Sequence, residues 1–543
     1  MADPWWRGAV IYQIYPRSFQ DSTGSGAGDL AGVTRRLGHV ADLGADAVWL
    51  SPFFRSPMAD MGYDVSDHRD VDPSFGTLAD FDALVAEAHR LGLRVVIDQV
   101  LSHTSHRHPL FEESRRSRTG PRADWFVWAD ARPDGSPPTN WQAIFGGPAW
   151  AWEPRRRQFY FHNFLPEQPD LDWLNPEVEA WGLDVLRFWL ERGVDGFRLD
   201  AANHYVQDAR LRDNPPAPWD RDAPPLRTYD MQRPLFTKNR PENLAAMERM
   251  RAFLDARGAP LLLGEIGESH RAVERLAEYT APGRLHMGYH SEMMGAAFTA
   301  AHFRREVETF FRLAPEGTPC WAFSNHDVAR HVGRWAARGA GPDALAKLCA
   351  ALLLSLQGAV CLYQGEELGL ANAALGYEDL VDPEGLAFWP ENPGRDGART
   401  PMPWEAHAPQ AGFSEAARTW LPVPPEHAAR AVDAQAADPG SVLDFYRRML
   451  ALRRASPDLR AGATRFLDAP EPVLAFVRGE GTLCAFNFGP EPAALALDAP
   501  LGETLLAQGA RVEARALRLG PNGAVVARLA EAGGAARPGP ARL

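Results

Sequence analysis

Residues 193–200 read "GVDGFRLD", a short apolar strand pattern that ends in two charged residues. Arg198 and Asp200 stand two positions apart, so on a β-strand their side chains point to the same face. A buried ion pair of this kind adds little net stability. The alternative is a reactive carboxylate that the neighbouring guanidinium keeps ionised. The stretch therefore predicts a strand whose end carries chemistry.

Seven further runs of strand type occur along the chain, and helical patterns such as residues 77–92 and 175–193 lie between them. The eight runs are 10–15, 47–50, 94–98, 196–200, 261–266, 286–290, 321–327 and 360–367. Strand–helix alternation with nearly continuous apolar strands predicts a parallel sheet in an α/β protein. Eight such units predict a (β/α)₈ TIM barrel, in which the carboxyl ends of the strands carry the site. The alternative is a doubly wound open sheet.

Two segments interrupt or follow this alternation. Residues 104–173 are rich in Trp, Pro, Arg and Gly, and they are too long for an ordinary connection. Beyond residue 460, patterns of period two predict a small antiparallel β domain. We therefore predict a catalytic barrel at 1–103 and 174–460, an inserted subdomain after the third strand at 104–173, and a C-terminal β-sandwich at 461–543 with a disordered tail at 533–543. The proline-rich segment 212–234 is predicted to be a stiff loop beside the site.

The composition excludes several classes of partner. A net charge of −13 over 543 residues argues against nucleic acid and favours neutral or cationic substrates. No basic region followed by an apolar region opens the chain, and the most apolar stretch, 348–356, is too short to span a bilayer. We expect a soluble cytoplasmic protein with no membrane partner, and the oligomeric state stays open. Four cysteines without metal or redox spacing are expected to be reduced core residues: Cys320, Cys349, Cys361 and Cys484.

Reactive residues cluster at four of the strand ends. In a barrel these ends converge on one mouth. Three carboxylates in one cleft repel one another, so their pKa values separate. One ionised and one protonated carboxyl group is what a retaining glycosidase requires. The residues are Asp98 and His103 at the third run, Arg198 and Asp200 at the fourth, Glu265 at the fifth, and His326 and Asp327 at the seventh.

Each of these residues also has a structural interpretation. Asp98 is expected to hold the loop of His103, and His326 alone would more often be a core histidine. Arg198 is expected to keep Asp200 anionic, whereas the apolar and glycine neighbours of Glu265 favour its protonated form. The joint occurrence favours catalysis.

The sequence resembles the α-amylase family of glycoside hydrolases, and more narrowly its α-glucosidase and oligo-1,6-glucosidase branch. The resemblance covers nearly the whole chain. "GFRLDAANHY" and "GEIGE" are most similar to bacterial α-glucosidases with glucosyl-transfer activity. The matching motifs, in order, are "YQIYPRSFQDS", "DQVLSHTS", "QPDLDW", "GVDGFRLD", "GEIGE", "FSNHD", "LYQGEELG" and "RTPMPW".

The resemblance implies a role for each residue of the constellation. Asp200 would be the nucleophile, Glu265 the acid/base and Asp327 the transition-state stabiliser. Asp60 and Arg399 would clamp the terminal glucose. The other residues implied to bind substrate are Tyr63, which would stack beneath the glucose, His103, Arg198 and His326, Phe145 and Phe164 from the inserted subdomain, and Ala201, where oligo-1,6-glucosidases usually carry valine.

The implied activity is that of a retaining, exo-acting α-glucosidase. It would release α-glucose from the non-reducing end of short, neutral α-glucosides, with a preference for α-1,4 links, and would transfer glucose to alcohol acceptors. One alternative is a sibling transferase or isomerase of the trehalose synthase, sucrose isomerase or amylosucrase type. Another is an inactive barrel that acts as a binding partner, but such proteins usually lose the carboxylates that this chain keeps.

No cofactor is implied for the chemistry, but one loop resembles a metal site. Ser102 replaces the asparagine that binds calcium in α-amylases, so that calcium is not expected. In "DSTGSGAGDL" (21–30), oxygen-bearing groups alternate as they do around Ca²⁺ or Mg²⁺. The alternative is a Gly-rich turn in which the last of these residues caps a helix that begins near Leu30. The candidate ligands are Asp21, Thr23, Ser25, the Ala27 carbonyl and Asp29.

Overall fold

The computed structural model describes residues 4–268 and 270–530. In them, eight parallel strands pair in the order β6-β5-β4-β3-β2-β1-β8-β7. A parallel bridge between Gly288 and Pro319 joins β6 to the segment before β7 and closes the barrel. The predicted (β/α)₈ fold is therefore confirmed. The strands are β1 (Val10–Ile14), β2 (Ala47–Leu50), β3 (Arg94–Gln99), β4 (Gly196–Leu199), β5 (Leu261–Ile266), β6 (Met287–His290), β7 (Cys320–Trp321) and β8 (Ala359–Tyr363).

A principal helix follows each barrel strand, and sequence signals fix several of their ends. Thr77 and Asp80 form the capping box that begins α2, and the Asn175 side chain caps α3. The helices are α1 (Leu30–Leu43), α2 (Leu78–Arg90), α3 (Pro176–Leu190), α4 (Pro241–Asp255), α5 (Ala272–Tyr279), α6 (Ala300–Leu313), α7 (Pro342–Ser355) and α8 (Val442–Ala455). Shorter helices are Pro109–Ser114, His331–Arg334, Pro383–Phe388, Pro425–Ala428, Val432–Ala436 and Pro457–Ala461.

The core has two layers because the barrel strands are buried on both faces. One apolar cluster lies between the strands and the surrounding helices. A second cluster fills the barrel interior and includes Trp49, Leu263 and Met287. All four cysteines are buried and unpaired, as expected. Within the described residues, no helix is both long and apolar enough to cross a bilayer.

The long connection between β3 and α3 has a small sheet and an apolar cluster of its own. Strands Trp128–Ala129 and Trp150–Glu153 both pair with Gln158–Phe161 in antiparallel fashion. Trp141 and Phe161 lie in the cluster behind them. A separate hairpin, Phe54–Arg55 with Asp67–Val71, follows β2.

The C-terminal strands form one antiparallel sheet in the order β9-β10-β11-β14-β12, with β13 paired to β14. They are β9 (Thr464–Phe466), β10 (Val473–Arg478), β11 (Thr482–Asn487), β12 (Ala493–Ala496), β13 (Leu501–Glu513) and β14 (Ala516–Leu529). The predicted antiparallel domain is confirmed, whereas the predicted domain boundaries stay predictions. The tail predicted to be disordered lies outside the described residues.

Candidate active site

A cavity of about 210 Å³ opens at the carboxyl ends of the barrel strands. Its walls are formed by residues at the ends of the barrel strands and by residues of the segments that follow them, as the barrel topology predicts. Eight predicted residues line it: Asp60, Tyr63, His103, Phe145, Phe164, Asp200, Glu265 and Asp327. Five lining residues were not predicted: Ile144, Gln168, Arg227, Glu384 and Arg395.

Arg198 connects three carboxylates beneath this cavity. Its side chain is fully buried, and Nη1 donates to Asp98 Oδ1 and Asp200 Oδ1, each at 2.7 Å. Nη2 lies 2.8 Å from Glu265 Oε2. The contact with Asp200 confirms that the two side chains share a face of β4. The contact with Glu265 was not predicted, because a sequence does not show how neighbouring strand ends are staggered.

Arg198 favours the ionised form of Asp200, in the direction expected, but burial has the larger effect on that group. Burial raises the pKa of Asp200 to about 7, although Arg198 acts in the opposite direction. Burial likewise raises the pKa of Glu265 to about 7. The charge of Asp200 acts in the same direction, and Arg198 acts in the opposite direction. Arg198 contacts both carboxyl groups, so it does not by itself separate their pKa values. The two carboxyl groups therefore titrate as a pair near neutral pH.

Asp98 supports Arg198 and Tyr63 rather than the loop of His103, so that expectation was wrong. Beyond its bond from Arg198, its Oδ2 accepts hydrogen bonds from Trp49 Nε1 at 3.2 Å and from the Tyr63 hydroxyl at 3.1 Å. The His103 ring instead bonds to the Tyr63 carbonyl at 3.0 Å. Burial lowers the pKa of His103 to about 4, so the ring is neutral at pH 7.

Asp327 lies among positive and hydrogen-bonding groups. Its Oδ1 lies 3.0 Å from Arg399 Nη2 and 3.2 Å from Arg395 Nη1, and its Oδ2 lies 3.2 Å from His326 Nε2. Burial opposes ionisation, but His326 and the two guanidinium groups hold the pKa of Asp327 below its usual range. Tyr63 stacks on the His326 ring with centroids 5.3 Å apart. Asp327 is therefore the carboxylate that stays charged.

Arg395, and not Arg399, pairs with Asp60. Arg395 Nη2 lies 2.8 Å from Asp60 Oδ1, and the Gln168 amide donates to Asp60 Oδ2 at 3.1 Å. Arg399 instead bonds to the His326 carbonyl at 2.8 Å and to Asp327. The predicted clamping of the terminal glucose by Asp60 and Arg399 stays a prediction, and the arginine that contacts Asp60 is Arg395. A 3₁₀ turn at Asp396–Ala398 separates the two arginines and sends them to different partners.

The inserted segment contributes an aromatic wall. The rings of Phe145 and Phe164 lie 6.0 Å apart, and Phe164 lies 5.2 Å from His103. The Arg395 guanidinium lies 5.0 Å from the Phe145 centroid, which adds a cation–π contact. Both phenylalanines line the cavity, and their role in binding substrate stays a prediction.

The rim of the cavity joins two segments that follow β4 and β8. Arg227 comes from the proline-rich segment 212–234, which was predicted to lie beside the site, and its Nη1 lies 3.4 Å from Glu384 Oε1. Neither residue stands out in the sequence, because charged residues in irregular segments have no periodicity that assigns them a direction. Their position after the carboxyl ends of strands is the available signal.

Ala201 acts through its backbone. It is buried, does not line the cavity, and has a left-handed φ of 43°. Its N–H donates to Glu265 Oε2 at 3.0 Å. The residue after Asp200 therefore contacts the candidate acid directly.

The loop at 21–29 is closed by its own hydrogen bonds. Asp29 caps α1 by accepting from the Gly32 N–H, and this confirms the predicted helix cap. Asp21 accepts N–H bonds from Thr23, Gly24 and Gly26 and a hydroxyl bond from Ser414, and these bonds lower its pKa against the effect of burial. Donors thus occupy the oxygens that a cation would need. Among the described residues, no group of three acidic, His or Cys side chains could hold a metal ion.

Comparisons with known proteins agree with this geometry. The family described as "Alpha amylase, catalytic domain" matches residues 13–462. A "Probable alpha-glucosidase" of Rhizobium meliloti (strain 1021) is 56% identical over 498 residues, which are 90% of each chain. The crystal structure of the alpha-glucosyl transfer enzyme XgtA superposes with a TM-score of 0.93 at 52% identity, covering 97% of this chain and 100% of that one. The trehalulose synthase MutB from Pseudomonas mesoacidophila MX-45 has a TM-score of 0.88 at 30% identity, covering 98% and 100%. This chain belongs to the alpha-amylase family of glycoside hydrolases.

Proposed function

We propose that this protein is a retaining, exo-acting α-glucosidase with glucosyl-transfer activity. The observation that carries the proposal is that one buried guanidinium, that of Arg198, contacts both Asp200 and Glu265 at the wall of one cavity. Two carboxyl groups held close together, with pKa values near 7, supply one ionised and one protonated group at neutral pH. In the proposed assignment, Asp200 is the ionised member and Glu265 the protonated one.

The proposed reaction has two displacement steps. Asp200 attacks the anomeric carbon while Glu265 gives its proton to the leaving oxygen, and a covalent glucosyl-enzyme forms. Glu265 then removes a proton from water or from an alcohol acceptor, whose oxygen attacks the anomeric carbon and displaces the Asp200 carboxylate. Water gives hydrolysis, and an alcohol gives transfer. Asp327, whose pKa is lowered, remains anionic and stabilises the positive charge that develops on the sugar ring.

The substrate preference is assigned to the walls of the cavity. We propose that the Asp60–Arg395 pair bounds the terminal glucose, with Tyr63, His103 and His326 beside it, so that only a non-reducing end enters. Phe145 and Phe164 would form the side that comes from the inserted subdomain. The predicted division at 1–103, 104–173, 174–460 and 461–543 is retained as part of this proposal, as is a cytoplasmic location.

The similarity to the "Probable alpha-glucosidase" and to XgtA supports hydrolysis and transfer, whereas the similarity to trehalulose synthase keeps a sibling isomerase as the second candidate. A product analysis on maltose, isomaltose, sucrose, trehalose and starch separates them. We expect glucose and transfer products from maltose, and starch as a poor substrate without rapid loss of iodine staining. Conversion of sucrose into an isomer as the main product would favour the isomerase.

Ala201→Val is expected to shift the preference from maltose toward isomaltose. The Ala201 N–H contacts Glu265, so a larger β-branched side chain there is expected to shift the Glu265 carboxyl group relative to the bond being cut. Discrimination by one or two methyl groups is worth about 1–3 kcal/mol, or roughly 10- to 200-fold in the ratio of kcat/KM. The φ of 43° strains a β-branched residue, so thermal stability should be measured alongside. Ala201→Ser is the control without the β-branch, and an unchanged ratio in Ala201→Val would remove this residue from the account.

For the loop at residues 21–29 we propose only a weak structural site for Ca²⁺ or Mg²⁺. The hydrogen bonds to Asp21 compete with a cation, so binding should raise the melting temperature only slightly. Melting is compared in EDTA and in millimolar Ca²⁺ or Mg²⁺, with Asp21→Asn as the matched variant. Loss of activity in EDTA would contradict a purely structural and dispensable site.

A further inference from the structure

The pairing between β4 and β5 ends just before the two candidate carboxyl groups. Their register runs from Gly196 opposite Leu261 to Leu199 opposite Gly264. Beyond this point Ala201 adopts its left-handed conformation, and one backbone hydrogen bond, from the Ala202 N–H to the Glu265 carbonyl at 3.0 Å, continues the pairing. Additional contacts must therefore fix the segment that follows Asp200 against the segment that follows Glu265.

The side chain of Asn203 makes such a contact. Its Oδ1 accepts the Gly267 N–H at 3.2 Å, and its Nδ2 donates to the Gly267 carbonyl at 3.1 Å. An asparagine amide has one acceptor and two donors, so it can pair with both backbone groups of one residue, as a neighbouring strand would. Asn203 is fully buried, and Asn239 Oδ1 accepts its Nδ2 at 3.1 Å.

The position of Gly267 affects Glu265 more than Asp200. Asp200 is anchored toward β3 by its N–H bond to the Gln99 carbonyl at 3.0 Å, and by Arg198. Glu265 lies only two residues before Gly267, at the end of β5. A misplacement of about 1 Å at a reacting group can lower a rate about 10²-fold.

We propose that Asn203 is a positioning residue that sets the spacing of Asp200 and Glu265 by pairing its side-chain amide with both backbone groups of Gly267. The inference rests on the catalytic roles proposed above. Asn203 does not line the cavity, so it acts on the position of Glu265 and not on the substrate. Its loss should lower kcat and leave KM nearly unchanged.

Lys238 limits the size of the expected effect. Its Nζ also donates to the Gly267 carbonyl, at 2.9 Å. Asn203→Ala would thus remove the partner of the Gly267 N–H but leave the carbonyl bonded. We expect kcat for maltose to fall about 10- to 100-fold, as for a small misplacement of one reacting group.

The test compares maltose with 2,4-dinitrophenyl α-glucoside, whose leaving group needs no proton. If Asn203 positions the acid, Asn203→Ala loses much more kcat/KM on maltose than on the activated glucoside, with KM for maltose changed less than about threefold. The smaller Asn203→Ser removes the same amide without adding a buried charge and should show a loss of the same kind. It replaces the alanine variant if that variant does not fold.

Asn487→Ala is the matched control. Asn487 is another fully buried asparagine, and its Nδ2 donates to the carbonyls of Glu491, Leu519 and Gly520 in the C-terminal sheet. We expect this variant to lower the thermal stability and to leave kcat/KM unchanged on each of the two substrates. Equal losses on the two substrates in Asn203→Ala, or no loss, would overturn the positioning role. If Glu265→Gln also shows no difference between the substrates, the proposed function fails and not only this inference.

Discussion

Asp200→Asn is expected to lower kcat for maltose by several orders of magnitude, with the fold intact. An amide cannot form the glucosyl-enzyme, and Asp200 is the carboxylate at the end of β4 that lines the cavity. Arg198 would keep its contacts with Asp98 and Glu265, so the buried charge stays paired. The measurement is kcat on maltose together with circular dichroism.

Asp208→Asn is the control for this substitution. Asp208 follows on the same segment but pairs with Arg212 outside the cavity, at 2.6 Å. Its replacement should leave kcat within a few-fold of the unmodified protein. Near-normal activity of Asp200→Asn would remove Asp200 from the mechanism.

Glu265→Gln is expected to show a strong dependence on the leaving group. A glutamine cannot protonate the glycosidic oxygen, so hydrolysis of maltose should fall by a factor of about 10²–10⁴. On 2,4-dinitrophenyl α-glucoside the fall should be much smaller, because that phenolate departs without a proton. The measurement is kcat/KM on both substrates, and equal losses on the two would contradict the assignment of Glu265 as the acid.

The same variant tests the coupling of the two carboxyl groups. In the proposed assignment Glu265 is protonated when Asp200 is ionised, so a neutral glutamine leaves the charges around Asp200 unchanged. The pKa of Asp200, raised to about 7 by burial, should therefore stay nearly the same. On the activated glucoside, the acid limb of the pH profile should keep its place in Glu265→Gln, and a clear shift would contradict this assignment of the two protonation states.

The sequence was sufficient to predict the barrel because its strands are mostly apolar and several of its helices carry clear caps. Each of the eight predicted runs contains or overlaps a barrel strand. The short β7, Cys320–Trp321, shows the limit of the pattern, because the run at 321–327 extends well past the strand. Those extra residues form the loop that carries His326 and Asp327.

The site was harder to predict where partners come from irregular segments. Arg395 and Arg399 stand four apart in one segment, and only the turn between them decides which one reaches Asp60. Gln168 contacts Asp60 and His103 from the inserted segment, a pairing across more than sixty positions that no local pattern indicates. The pKa of Asp200 depends on burial, which the spacing of Arg198 and Asp200 does not reveal.

The most direct test of the account is the configuration of the glucose first released from 2,4-dinitrophenyl α-glucoside, which has no second glucose in its leaving group. Attack by Asp200 followed by attack of water inverts the anomeric centre twice, so the net result is retention. Proton NMR during the first minutes of hydrolysis should show α-glucose before mutarotation supplies the β-anomer. Initial release of β-glucose would contradict a covalent intermediate on Asp200.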